Sequence, residues 1–183
     1  MIKFLPLLTA TAVVLAVSAG IGKAAEPANQ LVITTRHGAI VIDLASDIAP
    51  NHVQRLKELA AAKFYDGVPF HRVIPGFMAQ TGDPTGTGTG KSDKPNLKAE
   101  FSKTPFIRGT VGMARSADPN SANSQFFICL GDASWLNGQY TVVGRVSSGM
   151  EAVDKIKAAP PDRQSGMVDD PDRILTVTLG NNK

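Results

Sequence analysis

Short apolar runs, separated by polar and glycine-rich connections, dominate the chain from Leu31 onward. Leu31-Val32-Ile33-Thr34-Thr35 and Ala39-Ile40-Val41-Ile42-Asp43-Leu44 are β-branched runs joined by Arg36-His37-Gly38, the pattern of a hairpin. Ala49-Pro50 opens a helix, because proline is tolerated in a first helical turn. Val53, Leu56, Leu59 and Ala60 follow at helical spacing, so one face of that helix rests on a core. Residues 68–74 and 77–81 read as strands around a Pro75-Gly76 turn, and 82–95 as a long, flexible, glycine-rich surface loop. Three more strands are predicted at 109–114, 125–130 and 140–146, a second helix at 149–158, a loop at 160–171 and a closing strand at 174–179. The class is therefore mainly β. A closed antiparallel barrel of about eight strands, capped by two α-helices, would bury this pattern and remove its exposed edges. No repeat or linker divides it, so 26–183 is read as one domain.

Residues 1–25 stand outside this pattern and have the parts of a secretory signal. Lys3 supplies a positive start, 4–17 an apolar stretch, and Val17 with Ala19, or Gly22 with Ala24, the small residues of a cleavage site between 19 and 25. An uncleaved anchor is the alternative, since 4–22 carries no charge and could just span a bilayer. Pro6, Thr9, Thr11, Ser18 and Gly20 dilute that span, which favours cleavage and release. No cysteine lies nearby to take a lipid. The mature protein is thus expected to be exported, periplasmic or secreted, with no stable membrane association.

Charge and cysteine content narrow the chemistry. Without Lys3 and Lys23, the 19 basic residues become 17 against 16 acidic ones, a net of +1. No basic run remains, which argues against a nucleic-acid partner. Cys129 is the one cysteine, so no intrachain disulfide can form. It sits in Phe126-Phe127-Ile128-Cys129-Leu130, where a thiol behaves as a small hydrophobe rather than a nucleophile.

Several motifs fail on spacing. Gly90-Lys91-Ser92 invites a phosphate-loop reading, but Thr85 stands where that loop needs glycine, and Asp93-Lys94-Pro95 opens no helix. No serine lies in G-x-S-x-G. His37, His52 and His71 form no metal-ligand spacing, and they read as structural or surface residues. Neither metal nor cofactor is expected.

Arg72 is different. If 68–74 is a strand, Phe70, Arg72 and Ile74 share one face while His71 and Val73 take the other. Taken alone, Arg72 reads as solvent-facing, and Phe77, Met78 and Phe127 as core. Their joint spacing with Gln80, Gln125, Trp135 and Leu136 instead suggests a fixed positive donor beside an apolar hollow.

The segment Phe70-His71-Arg72-Val73-Ile74-Pro75-Gly76-Phe77-Met78-Ala79-Gln80 resembles the signature of the cyclophilins, a family of peptidyl-prolyl cis/trans isomerases. The likeness runs on through Gly112-Met113-Ala114, Ser124-Gln125-Phe126-Phe127-Ile128, Trp135-Leu136-Asn137-Gly138 and Val143-Gly144-Arg145-Val146. The resemblance implies that Arg72 is catalytic and that Gln80 orients it. It places Phe77, Met78, Phe127 and Leu136 in a proline pocket, and adds Ile74, Ala114, Arg115, Gln125 and Tyr140 to the substrate-binding residues. Trp135 matches a rim residue associated with cyclosporin, so cyclosporin-like cyclic peptides are implied binders beside proline-containing polypeptides. Two positions depart from the best-known pattern: Arg115 replaces a common asparagine and Tyr140 a common histidine. The protein implied is a cofactor-independent, monomeric isomerase of the exported bacterial type, assisting the folding of exported chains. A non-catalytic proline-peptide chaperone using the same groove stays open.

Overall fold

The opening hairpin is present. β1 (Gln30–Thr35) pairs antiparallel with β2 (Gly38–Leu44), setting Leu31 opposite Ile42 and Ile33 opposite Ile40. The computed structural model describes Met1 and residues 29–180, so the signal expected at 1–25 lies, Met1 apart, outside the described residues. Helix α1 (Pro50–Ala61) starts with proline in its first turn and buries Val53, Leu56, Leu59 and Ala60, as its spacing predicts. Its N-cap, Ala49, has no polar side chain to offer. Glu100 caps the helix from a distance, accepting from the Asn51 and His52 backbone N–H groups at 3.2 and 3.1 Å and from His52 Nδ1 at 2.6 Å.

Six further strands complete the sheet: β3 (Arg72–Ile74), β4 (Met78–Thr81), β5 (Thr110–Met113), β6 (Phe126–Cys129), β7 (Val142–Ser148) and β8 (Thr176–Gly180). All pairings are antiparallel, in the order β3-β4-β6-β5-β7-β2-β1-β8. The mainly-β class with about eight strands and two helices stands. The closed barrel does not: the sheet curls, but β3 and β8, at its two ends, share no ladder. The irregular segment 166–174 lies along 67–73 instead. Phe70 N–H donates to Asp172 O at 2.8 Å, Val73 N–H to Gly166 O at 2.8 Å, and Val168 N–H to His71 O at 3.0 Å. The open edge is thus covered by a loop rather than paired with the last strand.

The same loop shortens the strand expected at 68–74. The regular strand begins only at Arg72, so Phe70 does not share a face with Arg72; it is buried in the main core beside Val73. The second helix, expected at 149–158, is α2 (Met150–Val153). After Val153 the hydrogen bonds tighten to the i−3 pattern, Lys155 N–H to Ala152 O and Ile156 N–H to Val153 O. The Lys157 N–H is then taken by the Asp172 carboxylate at 2.8 Å, which turns the chain away from helix.

Two apolar clusters result. The main one packs α1 and α2 against the sheet. The smaller joins Met78, Phe127, Cys129 and Leu136 to Phe106 and Val142, with Ile74, Phe77, Ala114 and Tyr140 at its margin. Cys129 is buried there, and burial pushes its thiol up to about 12, which keeps it protonated and inert.

Candidate functional site

Strand register builds the site. Arg72 lies opposite Gln80, Gln80 opposite Phe127, and Phe127 opposite Gly112, so one row crosses β3, β4, β6 and β5. Directly opposed residues share a sheet face, which puts the guanidinium, the amide and the ring side by side. Gly112 matters because it has no side chain. A Cβ there would stand 2.5 Å from Phe106 Cε1 and 2.7 Å from Phe127 Cζ, so glycine lets the two rings stack, their centroids 5.7 Å apart and planes 25° apart.

Over this row opens a hollow of about 100 Å³. Buried Met78, Phe127 and Leu136 form its floor, while half-buried Phe77 and Tyr140 wall it. Arg72 and Gln80 stand on one side and Ala114 with Arg115 on the other. Trp135 is 59% exposed, its ring centroid 5.3 Å from that of Phe77, outside the lining itself. Ile74 packs on the apolar cluster beneath, close to Gly166, and does not line the hollow. Gln125 lines a neighbouring, larger hollow of about 390 Å³, which shares Gln80, Ala114 and Arg115 with the first.

Arg72 is held at two points. Its Nε donates to Ser165 O at 2.8 Å and its Nη1 to Gln80 Oε1 at 3.3 Å. Gln80 Nε2 donates in turn to Gln125 Oε1 at 2.8 Å, so the orienting amide is itself oriented. Nη2 has no hydrogen-bond partner among the described residues, which leaves it free to donate. Partial burial draws the guanidinium pKa below its ordinary value, with Tyr140 opposing, and the group stays charged at any ordinary pH.

The two positions that depart from the cyclophilin pattern prove to be one unit. The Arg115 guanidinium carbon lies 4.4 Å from the Tyr140 ring centroid, a cation–π contact. Its Nε and Nη2 donate to Gln139 O at 3.1 and 3.0 Å, and Nη1 to Ser116 O at 2.9 Å. Nothing in the sequence pairs residues 115 and 140. Ser165 was equally invisible, 93 positions from the arginine whose Nε it accepts. Phe106, which helps fix the floor, carries no motif of its own, and Gly112 enters the sequence reading only within the block Gly112-Met113-Ala114.

No carboxylate, histidine or cysteine lines the small hollow. Among the described residues, no group of three or more His, Cys, Asp or Glu is arranged to hold a metal ion, and no helix is long and apolar enough to cross a membrane. Of the two guanidinium groups at the hollow, Arg115 has all its nitrogens bonded and Arg72 keeps a free donor beside an apolar seat. This arrangement suits binding and electrostatic work rather than proton transfer or covalent attack.

Comparison with known proteins finds a family and several relatives that span most of the chain. The family model for "Cyclophilin type peptidyl-prolyl cis-trans isomerase/CLD" matches residues 30–179. A "Probable peptidyl-prolyl cis-trans isomerase" of Brucella suis is 53% identical over 167 residues, covering 85% of each chain. A "Peptidyl-prolyl cis-trans isomerase-like 1" of Aspergillus fumigatus is 38% identical over 147 residues, 78% of this chain and 91% of that protein. Among solved structures, a cyclophilin-type isomerase of Cryptosporidium parvum, determined in the presence of the dipeptide Ala-Pro, superposes with a TM-score of 0.76 at 29% identity. That match covers 84% of this chain and 99% of the other.

Proposed function

We infer, from the premise that this chain belongs to the cyclophilin-type peptidyl-prolyl cis-trans isomerase family and is such an isomerase, that X-Pro bonds rotate in the hollow beside Arg72. The observation that carries this reading is Arg72, fixed through Nε and Nη1 above an apolar floor with Nη2 left to donate. Proline-containing polypeptides are the substrates.

A planar X-Pro amide must lose its partial double bond to rotate, over a barrier of about 18–20 kcal/mol. Unaided exchange takes roughly tens to hundreds of seconds. In the twisted state the prolyl nitrogen regains a localised lone pair, and Arg72 donates to it. That bond exists only in the transition state, which is the kind that raises turnover. A hydrogen bond to a charged group is worth about 1.5–3 kcal/mol, or roughly one to two decades of rate. The remainder comes from the seat itself. The twisted amide is less dipolar than the planar one, so Met78, Phe127 and Leu136 favour it relative to water, and ring capture holds the peptide near the twisted geometry. No proton moves and no covalent bond forms, so the reaction calls for neither metal nor cofactor.

The physiological setting proposed is outside the cytoplasm. The signal-like residues 1–25 support export, and the clients are newly translocated chains in the periplasm or beyond. Catalysed exchange in a short X-Pro peptide, measured with protein isolated from the exported fraction and starting between residues 20 and 26, tests activity and setting together. An intact Met1 terminus in the membrane fraction would overturn the setting alone.

Cyclosporin-like cyclic peptides are proposed to enter the same hollow beside the exposed Trp135, with a monomeric protein as the binding unit. The Arg115–Tyr140 stack narrows that approach, so binding is weaker than with histidine at 140. Titration of wild type against Tyr140→His is expected to show tighter binding by the variant. Equal affinities would remove Tyr140 as the determinant.

A further inference from the structure

We propose that Asp83 is a positioning residue for Arg72, acting through the glycine-rich loop at 82–90 and the amides of Gln125 and Gln80. The proposal rests on Arg72 being the donor to the twisted bond.

The loop looks flexible in sequence, yet it is wound around one carboxylate. Asp83 is 0% exposed. Its Oδ1 accepts from Thr85 N–H and Thr85 Oγ1, both at 2.7 Å, and its Oδ2 from the Gly88 and Gly90 N–H groups at 2.7 and 3.0 Å. Burial alone would push this carboxyl up; the bonds from Thr85, Gly90 and Gly88 outweigh it and hold the pKa below the usual range. The glycines serve that wrapping. Gly88 has φ of +85°, and a Cβ on Gly90 would run into the Asp83 carboxylate.

With these N–H groups turned to Asp83, the carbonyls of the same residues are offered to Gln125. Gln125 Nε2 donates to Gly90 O at 2.7 Å and to Gly88 O at 3.1 Å. Carbonyls can only accept, so they decide which end of the Gln125 amide is nitrogen. Its Oε1 must then face Gln80 Nε2, and Gln80 Oε1 must face Arg72 Nη1. Reversing either amide would set oxygen against oxygen. The direction of the whole relay is therefore written by two carbonyls, and Asp83 holds both in place.

The test is a double-mutant cycle on isomerisation of a short X-Pro peptide, with kcat, KM and thermal stability measured for each protein. Asp83→Ala is expected to lower kcat about tenfold, the scale of one charge-linked hydrogen bond, with a smaller change in KM. In a Gln125→Leu background the relay is already cut, so Asp83→Ala should lower kcat little further. Asp83→Asn keeps one acceptor and should fall between. If Asp83→Ala does not fold, the Asp83→Asn and Gln125→Leu cycle carries the same test. Unchanged kcat in a folded Asp83 variant, or losses that multiply fully with those of Gln125→Leu, would overturn the proposal and leave Arg72 untouched. Normal turnover by Arg72→Ala would remove the premise itself, so the two failures are told apart.

Discussion

Arg72→Ala is expected to lower isomerase turnover about ten- to a hundred-fold, toward loss of useful catalysis, while the fold and much of the peptide affinity survive. The reasoning starts from what Arg72 touches. It is half-buried at the edge strand β3, and its partners Ser165 O and Gln80 Oε1 are close enough to solvent to be rehydrated when it is gone. No core cavity opens, because the floor is made by Met78, Phe127 and Leu136. Arg72→Lys should rescue poorly. Lysine keeps the charge, but one ammonium cannot reach Ser165 O, Gln80 Oε1 and the substrate nitrogen in the planar fork that guanidinium provides. The wild-type rate should be flat from about pH 6 to about pH 9, since a guanidinium does not titrate there and no carboxylate, histidine or cysteine lines the hollow. Exchange rate beside melting temperature and peptide affinity, for wild type and both variants, checks this. Near-normal turnover in folded Arg72→Ala would move the chemistry elsewhere and bring back a groove that only binds.

What the sequence could disclose follows from how far apart the interacting residues lie. The hairpin of β1 and β2 and the buried face of α1 are encoded within a few residues, and both appear where periodicity puts them. The pairing of Arg72 with Gln80 spans one tight turn, so it too was readable. The strand expected at 68–74 is regular only from Arg72, because 68–71 hydrogen-bonds with 166–174 rather than with a regular strand. That same exchange leaves the curled sheet short of barrel closure. Helix α2 stopped early when a remote carboxylate, Asp172, captured the Lys157 N–H.

The glycine-rich loop teaches a different lesson. Its failed phosphate-loop register was a sound reason to reject nucleotide, yet flexibility did not follow. Its N–H groups do gather around an anion, but the anion is the protein's own Asp83. Composition sees glycine and infers freedom; it cannot see that Gly88 and Gly90 let a backbone close on a buried carboxylate. Gln125 and Gln80, 45 residues apart, are grouped in sequence by joint spacing and family resemblance, and the structure supplies the 2.8 Å bond that makes them one relay.

Phe127→Ala should cost about 3–5 kcal/mol of stability, the usual range for emptying a buried aromatic site. Phe127 is 4% exposed, stacked on Phe106 and edge-on to Tyr140 at 6.0 Å. Against a typical total of about 5–15 kcal/mol, the variant stays folded in the cool but melts far lower. Where it is folded, KM for X-Pro peptides should rise, because the floor that seats the ring has gone. Gly112→Ala attacks the same floor from beneath. Its new methyl must displace Phe106 and Phe127, which stand 2.5 and 2.7 Å from the Cβ position, and overpacking of that kind costs about 1–3 kcal/mol. The ring is then driven up into a hollow of only about 100 Å³, so proline should be excluded rather than loosely held. Phe127→Leu gives back room, and the double variant Phe127→Leu with Gly112→Ala should recover stability and KM relative to Gly112→Ala alone. Chemical denaturation and peptide exchange on these four proteins decide it. Unaltered KM in folded Phe127→Ala and Gly112→Ala would mean that proline is seated elsewhere, even though the stability losses would stand as packing.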